Sequence, residues 1–218
     1  MIAIENVTKS YRTNNGRYYV FRDLDFVIPS GKNIGIIGRN GAGKSTLMRL
    51  LGGLDMPDSG RVHSQASISW PVGLSGGFQG SLSGRDNVKF ICRVYGKSTE
   101  EIKDKVRLVE DFAEIGPHFD RPVKTYSSGM KARVGFGLSL AFDFDYYLVD
   151  EALSVGDAHF RNKATDAFKT RIDGAKIILV THGMNQIRRL CDYLILVEGG
   201  KLIPYEDVEA GIQAYLAL

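Results

Sequence analysis

Gly38-Arg39-Asn40-Gly41-Ala42-Gly43-Lys44-Ser45 is the stretch on which the reading of this chain turns. It fits the pattern G-x-x-x-x-G-K-[ST], a loop that cradles nucleotide phosphates. Its flanks agree with the letters. Residues 33–37 are a short apolar run of the kind that forms a buried strand, and residues 46–51 read as the opening turns of a helix. Strand, glycine loop and helix are what the chemistry requires. Gly38, Gly41 and Gly43 let the backbone come close to a ligand. The exposed N–H groups then face the β- and γ-phosphates at the positive end of the helix. Lys44 adds a full charge, and the Ser45 hydroxyl stands where it can ligate Mg²⁺. The competing reading is a glycine-rich turn that meets the pattern by chance, and the strand and helix on either side argue against it.

Working outward, 218 residues suit one large domain or a core with an insert. An apolar share of 44% and a charged share of 24% are those of an ordinary globular protein. The 28 basic and 25 acidic residues leave a net charge of +3, too balanced for a nucleic-acid-binding protein. Cys92 and Cys191 stand far apart without metal-ligand spacing, so two buried or idle thiols in a reducing compartment are expected. Met1-Ile2-Ala3-Ile4-Glu5 opens no basic-then-apolar leader, and no signal peptide is expected. No apolar run approaches the roughly 20 residues that span a bilayer, so membrane contact is expected to run through a partner.

Along the chain, residues 2–7 alternate weakly and read as an edge strand, and Asn14-Asn15-Gly16 is a turn signal. Residues 18–21 and 25–28 are β-rich runs, ended by Pro29-Ser30-Gly31. After the phosphate-loop helix, residues 55–60 read as a loop and residues 66–70 as a further strand. The glycine-rich stretch 73–80 is the expected hinge into a helical insert, with apolar residues at helical spacing over 87–95 and 99–114. Residues 127–142 pull toward a strand on pattern alone, because Val134, Phe136, Leu138 and Leu140 alternate with intervening residues. The apolar runs 146–149, 177–180 and 194–197 read as buried strands separated by helical stretches. That alternation predicts a parallel sheet with crossover connections. No internal repeat or low-complexity tail is visible.

Ligands of open parallel sheets bind beyond the C-terminal ends of strands. Three such ends carry polar residues: the phosphate loop, Asp150-Glu151 and His182. Four apolar residues before Asp150 fit a strand that brings an acid to Mg²⁺, and Glu151 one residue on could orient or deprotonate an attacking water. By themselves the two acids would read better as a helix N-cap pair. A lone histidine such as His182 is more often packed or capping than catalytic. Ser127-Ser128-Gly129 reads as a turn, or as a second set of donors for phosphate.

Taken in order, the loop at 38–45, Tyr126-Ser127-Ser128-Gly129-Met130-Lys131, Tyr146-Tyr147-Leu148-Val149-Asp150-Glu151, then an aspartate and His182 resemble the nucleotide-binding subunit of ABC transporters over the whole chain. The resemblance implies an α/β P-loop NTPase core with an N-terminal antiparallel β-subdomain and an inserted α-helical subdomain. The core would comprise residues 1–73 and 143–218, and the glutamine loop and helical insert about 74–142. It implies ATP and Mg²⁺ as ligands. Gly38, Arg39, Asn40, Gly41, Ala42, Gly43, Lys44, Ser45 and Thr46 would hold the phosphates, and Tyr11 would stack on adenine. Ser45 and Asp150 would serve the metal, the latter through water. Glu151 would be the catalytic carboxylate, His182 the switch histidine and Asp157 the D-loop acid. Ser127, Ser128 and Gly129 would form the signature, which acts on the ATP of a partner copy. In the family the residues after Ser127 form a helix, against the strand suggested by alternation. Ser128 and Met130 depart from the usual glycine and glutamine. The family's glutamine falls near Leu74, so Gln79, several residues late, is left unassigned.

These departures, with Ile68-Ser69-Trp70-Pro71, residues 76–82 and Val155-Gly156-Asp157, are similar to the ATPases of bacterial capsular polysaccharide exporters, the polysialic acid and group 2 capsule type above all. O-antigen and teichoic acid exporters often carry a further C-terminal domain, and this chain stopping at Leu218 favours the capsule type. The resemblance implies an ATP-dependent dimer on the cytoplasmic face of the bacterial inner membrane. A separate transmembrane permease would be the partner, with periplasm-spanning export components reached through it and no nucleic acid. An ABC ATPase acting on nucleic acid or the ribosome would need a second cassette or a long insert. A nucleotide sensor without turnover would not need Glu151 and His182.

Overall fold

A computed structural model of the protein describes residues 1–14, 16–72, 77–150, 160, 163–164, 166–167, 170 and 174–218. These described residues fall into two compact units, one from the ranges 1–71, 144–151 and 174–218 and the other from 72–143 and 152–173.

In the first unit, β1 (Ile2–Thr13), β2 (Gly16–Ile28) and β4 (Ser59–Ser64) form an antiparallel sheet in the order β2-β1-β4. A second sheet runs β5-β6-β7-β3-β8-β9, from β5 (Ile68–Pro71), β6 (Tyr146–Asp150), β7 (Lys176–Val180), β3 (Ile34–Ile37), β8 (Tyr193–Glu198) and β9 (Lys201–Tyr205). Its first five strands are parallel and β9 turns back antiparallel on β8. The parallel sheet expected from alternating strands and helices is therefore present. β3 is buried at all four positions, as a strand covered on both faces must be. Gly199 and Gly200, both at positive φ of 54° and 76°, make the two-residue β8–β9 turn. Side chains of the two sheets and of α1 (Lys44–Leu51), among them Ile4, Phe21, Ile36, Leu47, Leu148 and Ile195, share one apolar core. α5 (Met184–Leu190) and α6 (Val208–Leu216) complete this unit among the described residues.

Two strand expectations need correction. β1 is the central strand of its sheet, because the polar stretch Ser59–Ser64 pairs along its second edge. That partner was hidden because Ser-Gly-Arg-Val-His-Ser has no buried face, and Glu5 receives it through Arg61 at 2.7 Å and His63 at 3.1 Å. The two β-rich runs 18–21 and 25–28 are one strand carried through an irregular patch, where Asn6 and Asp23 take positive φ of 53° and 46°. The Thr8 hydroxyl accepts from Asp23 N at 3.1 Å and the Asp25 carboxylate from Asn6 N at 2.8 Å, satisfying backbone groups the bulge leaves unpaired.

The second unit is helical: α2 (Gly84–Val94), α3 (Thr99–Ala113) and α4 (Ser128–Leu140), with short 3-10 turns at Gly116–Asp120 and Val123–Thr125. α3 opens on a capping box of Ser98 and Glu101. The strand pattern of residues 134–140 is overturned here, since the whole stretch lies in α4. Every residue from Val134 to Leu140 is buried, so this stretch of the helix has no solvent face to impose a 3.6-residue period on its sequence. Gly137 permits the contact with α3, where an added Cβ would stand 3.2 Å from the Phe112 ring. Phe112 stacks on Phe136 at 5.6 Å between centroids.

Candidate functional site

The strand order β6-β7-β3 brings three chain segments side by side at one sheet edge. Asp150 ends β6 opposite Val180, and Val180 in turn pairs with Ile36 of β3. The phosphate loop leaves β3 and Thr181-His182 leave β7 at this same end. The edge is therefore where an open parallel sheet binds its ligand.

Close packing sets the loop. A Cβ on Gly38 would lie 2.4 Å from the Val197 carbonyl oxygen, so only glycine lets the chain leave β3 past β8. Gly43 sits at φ 110°, and a Cβ there would stand 2.6 Å from Val20. The Lys44 ammonium donates to the Gly38 carbonyl at 2.6 Å and the Arg39 carbonyl at 3.1 Å. α1 follows with no side-chain cap and no acidic residue in its first turn. Its positive end is consequently not neutralised by its own side chains.

These elements line a cavity of about 340 Å³. Asn40, Gly41, Gly43, Lys44, Ser45 and Thr46 form its floor, Asp150 and His182 stand at the strand ends, and Tyr11, Tyr18 and Val20 come from β1 and β2. Ser45 is exposed, Asp150 half-buried and His182 exposed. The Thr181 hydroxyl accepts from Gly183 N at 3.0 Å, which fixes the turn that carries His182. Gly38 and Arg39 shape the loop from behind rather than line this cavity, and Ala42 lines a neighbouring hollow with Tyr18 and Gly200.

Tyr11 is anchored. Its hydroxyl donates to Asp55 Oδ2 at 2.8 Å and accepts from Arg49 Nη2 at 2.9 Å. The buried Lys9 ammonium donates to Asp55 Oδ1 at 2.6 Å and the Met56 carbonyl at 2.7 Å. Partial burial pushes the Asp55 carboxyl up, but the hydrogen bonds from Lys9 and Tyr11 and the charges of Lys9 and Arg49 outweigh it and hold the group below its ordinary range. Sequence reading treated residues 55–60 as a loop and missed this cluster, and it missed Tyr18. In the β1–β2 ladder Tyr18 pairs directly opposite Tyr11.

In the second unit, Ser127 caps α4, its hydroxyl accepting from Met130 N at 3.2 Å. Ser127 and Ser128 are exposed, and Gly129 borders a hollow of about 470 Å³ with His118 and Arg133. Gln79 is clamped through its backbone by the buried Asn87, whose carbonyl accepts from Gln79 N at 2.7 Å. Glu151, Asp157 and Leu74 lie outside the described residues. No group of three or more His, Cys, Asp and Glu gathers as a metal cluster among the described residues.

A glycine loop at the end of a buried parallel strand, an uncapped helix behind it and an acid on a nearby strand define a P-loop nucleotide-binding domain. Residues 21–154 match the family model described as ABC transporter, and the chain belongs to that family. Among its relatives is the polysialic acid transport ATP-binding protein KpsT of Escherichia coli, 56% identical over 216 residues, 99% of this chain and 96% of that one. The capsule polysaccharide export ATP-binding protein CtrD of Neisseria meningitidis serogroup B is 45% identical over 219 residues, all of both chains. A dimeric structure of the ATP-binding cassette MJ0796, in a post-hydrolysis state bound to ADP and Pi, has the same fold, with a TM-score of 0.73 at 23% identity over 94% of this chain and 98% of that one.

Proposed function

We propose that this chain is the ATP-hydrolysing subunit of an exporter that drives capsular polysaccharide across the bacterial inner membrane through a separate transmembrane subunit. The observation that carries the reading is the cavity that joins Lys44, Ser45 and Thr46 to Asp150 and His182. It is supported by the full-length likeness to a polysialic acid transport protein and a capsule polysaccharide export protein.

The loop amides, the start of α1 and Lys44 hold the triphosphate. Ser45 and Asp150 offer hard oxygen donors on one cavity, which suits a Mg²⁺ ion that completes its shell with phosphate and water. When bound, that ion would neutralise charge on the β- and γ-phosphates. Glu151 orients or deprotonates the attacking water, and His182 donates to the γ-phosphate. Ser127, Ser128 and Gly129 cap the phosphate of a second copy, with Asp157 in the loop between copies. An added Cβ on Gly129 would meet only the Ser127 hydroxyl, at 3.9 Å, so no packing among described residues demands glycine there. A phosphate approaching from another chain does. Two nucleotides between two copies make ATP differential glue for the closed dimer, an isologous contact.

No described helix is long and apolar enough to cross a membrane. In this reading the passage is supplied by the separate transmembrane subunit. Phe90 and Val94 lie one turn apart on α2, 57% and 66% exposed, and offer that partner an apolar grip. The test is Glu151→Gln: it binds ATP and dimerises but hydrolyses slower by on the order of a hundredfold or more. Near-normal turnover in that variant removes the base assignment. Co-purification of the chain with its membrane subunit, followed by identification of the associated glycan, tests the cargo. A teichoic acid or O-antigen polymer there overturns the capsule reading.

A further inference from the structure

The exposed Ser127 that caps α4 follows directly on Tyr126, which is buried. The Tyr126 hydroxyl bonds to two other elements. It donates to the Phe119 carbonyl at 3.1 Å, in the turn Gly116–Asp120, and accepts from Gly84 N at 3.1 Å, at the first residue of α2. A phenol has one proton to give and lone pairs to receive with, so the two bonds form together. Gly84 N is one of the donors a helix start leaves over, since the α2 cap Ser83 serves Asp86 N. Glycine leaves the room for this: a Cβ at 84 would stand 2.5 Å from the Tyr126 hydroxyl oxygen and 3.0 Å from the Phe119 ring. Backbone bonds stitch the same corner. Val123 N donates to the Leu82 carbonyl at 2.9 Å and Lys124 N to the Gly80 carbonyl at 2.8 Å. The buried Asn87 of α2 holds that loop in turn, its amide donating to the Gln79 carbonyl at 3.1 Å and the Ser83 carbonyl at 2.8 Å. Arg85 bridges Glu110 and Asp120, each at 2.6 Å.

We infer that Tyr126 is a positioning residue: its hydroxyl fixes where α4 begins relative to α2, and so where Ser127 and Gly129 meet the phosphate of a second copy. This rests on the reading of Ser127, Ser128 and Gly129 as the groups that cap that phosphate. The contacts divide two tasks. Ser127 caps α4 with its own hydroxyl, so the helix does not depend on Tyr126 to start. The bonds of Tyr126 leave the helix and set its place against α2 and the turn before it. Place is what a group acting across to another chain requires, because about 1 Å of misplacement can cost about a hundredfold in rate.

The test separates turnover from nucleotide uptake. ADP affinity and stoichiometry with Mg²⁺ are measured by calorimetry, and ATP turnover at saturation is measured at one protein concentration. The samples are the wild-type chain, Tyr126→Phe, Gly84→Ala, the two combined, and Gly129→Ala. Tyr126→Phe keeps the ring and loses the hydroxyl. It is expected to lower turnover per bound site about tenfold, within what such misplacement can cost. ADP binding, which needs no second copy, stays unchanged. Gly84→Ala alone also lowers turnover, but it costs much less in the Tyr126→Phe background, where the hydroxyl that its Cβ displaces is gone. Wild-type turnover in Tyr126→Phe, equal loss of turnover and ADP binding, or the full cost of Gly84→Ala in both backgrounds overturns the inference. Gly129→Ala distinguishes the underlying reading. Its turnover is expected to collapse, and if it does while Tyr126→Phe is normal, only this inference falls. Full turnover in Gly129→Ala overturns the reading of the signature itself, and this inference with it.

Discussion

The Lys44 ammonium lies 2.6 Å from the Gly38 carbonyl oxygen, so the lysine of the glycine loop is pinned over the residue that begins it. With a second bond to Arg39 at 3.1 Å, the charge is preset above the start of α1 and does not have to be gathered from solvent. Pre-organised charge of this kind is worth most where it meets charge developing in a reaction. Lys44→Ala is therefore expected to cut ATP turnover by on the order of a hundredfold or more. The thermal midpoint should move little, because the loop is shaped by glycine packing against Val197 and Val20 rather than by this side chain. Steady-state ATPase and thermal unfolding of the same sample check both halves. A large fall in midpoint would mean that the lysine is structural.

Asp55 gives a pH dependence with a definite sign. Its folded-state pKa lies below the ordinary value because Lys9, Tyr11 and Arg49 favour the carboxylate more than burial opposes it. The folded chain thus binds fewer protons at this site than the unfolded chain. The stability it contributes is complete above the unfolded pKa of about 4 and is lost as pH falls through the lower folded value. Asp55→Asn should cost on the order of 1–2 kcal/mol at pH 7, since it removes a charged partner from a buried lysine and a tyrosine. The gap between variant and wild type should shrink as the pH is taken below about 4. Urea unfolding of the two proteins across that range measures it. A gap that stays constant would show that the ionised form of Asp55 contributes nothing.

How much of this could be read beforehand depended on whether the cause was local. The phosphate loop was legible because its strand, glycines and helix are contiguous, and the sheet edge that carries Asp150 and His182 followed from apolar runs that stop at polar residues. The Tyr11 anchor was not legible, because Asp55 lies 44 residues away and sits in what reads as an ordinary loop. α4 misled by pattern for a different reason. Its 134–140 stretch is buried all round and has no exposed face, so Val134, Phe136, Leu138 and Leu140 were free to fall into an alternation that resembles a strand. β4 failed in the opposite sense. A polar edge strand buries no face and leaves no period, and only its pairing with β1 reveals it.

Both cysteines are buried and free, and their chemistry should follow from that. Burial pushes the Cys191 thiol up to about 12, with the charge of Asp192 adding to the effect, and burial also raises Cys92. At pH 8 the Cys191 thiolate would be roughly one part in ten thousand of the total, and the thiolate is the nucleophile. Iodoacetamide should label neither site in the folded chain, and labelling should rise only as denaturant unfolds it. Mass spectrometry of a labelling time course reads this directly. Fast modification of Cys191 under native conditions would mean that the wall of the core beside Gly35 opens.

The exposed turn of α2 bears on coupling rather than on chemistry. Phe90 and Val94 are apolar and open to solvent, while Val88 and Cys92 of the same helix are buried. The helix is thus already packed on its inner side through other residues, and the outward pair is mostly open to solvent. If the pair grips a membrane subunit, Phe90→Glu should leave the ATPase rate of the isolated chain within about twofold, as expected of an exposed change away from buried contacts. The same variant should lose at least about tenfold in affinity for the membrane subunit, the typical cost of placing an unpaired charge at an apolar contact. Pull-down of the detergent-solubilised partner by wild type and variant, with ATPase measured on both, separates the two effects. Unchanged capture by Phe90→Glu would move the docking surface elsewhere on the chain.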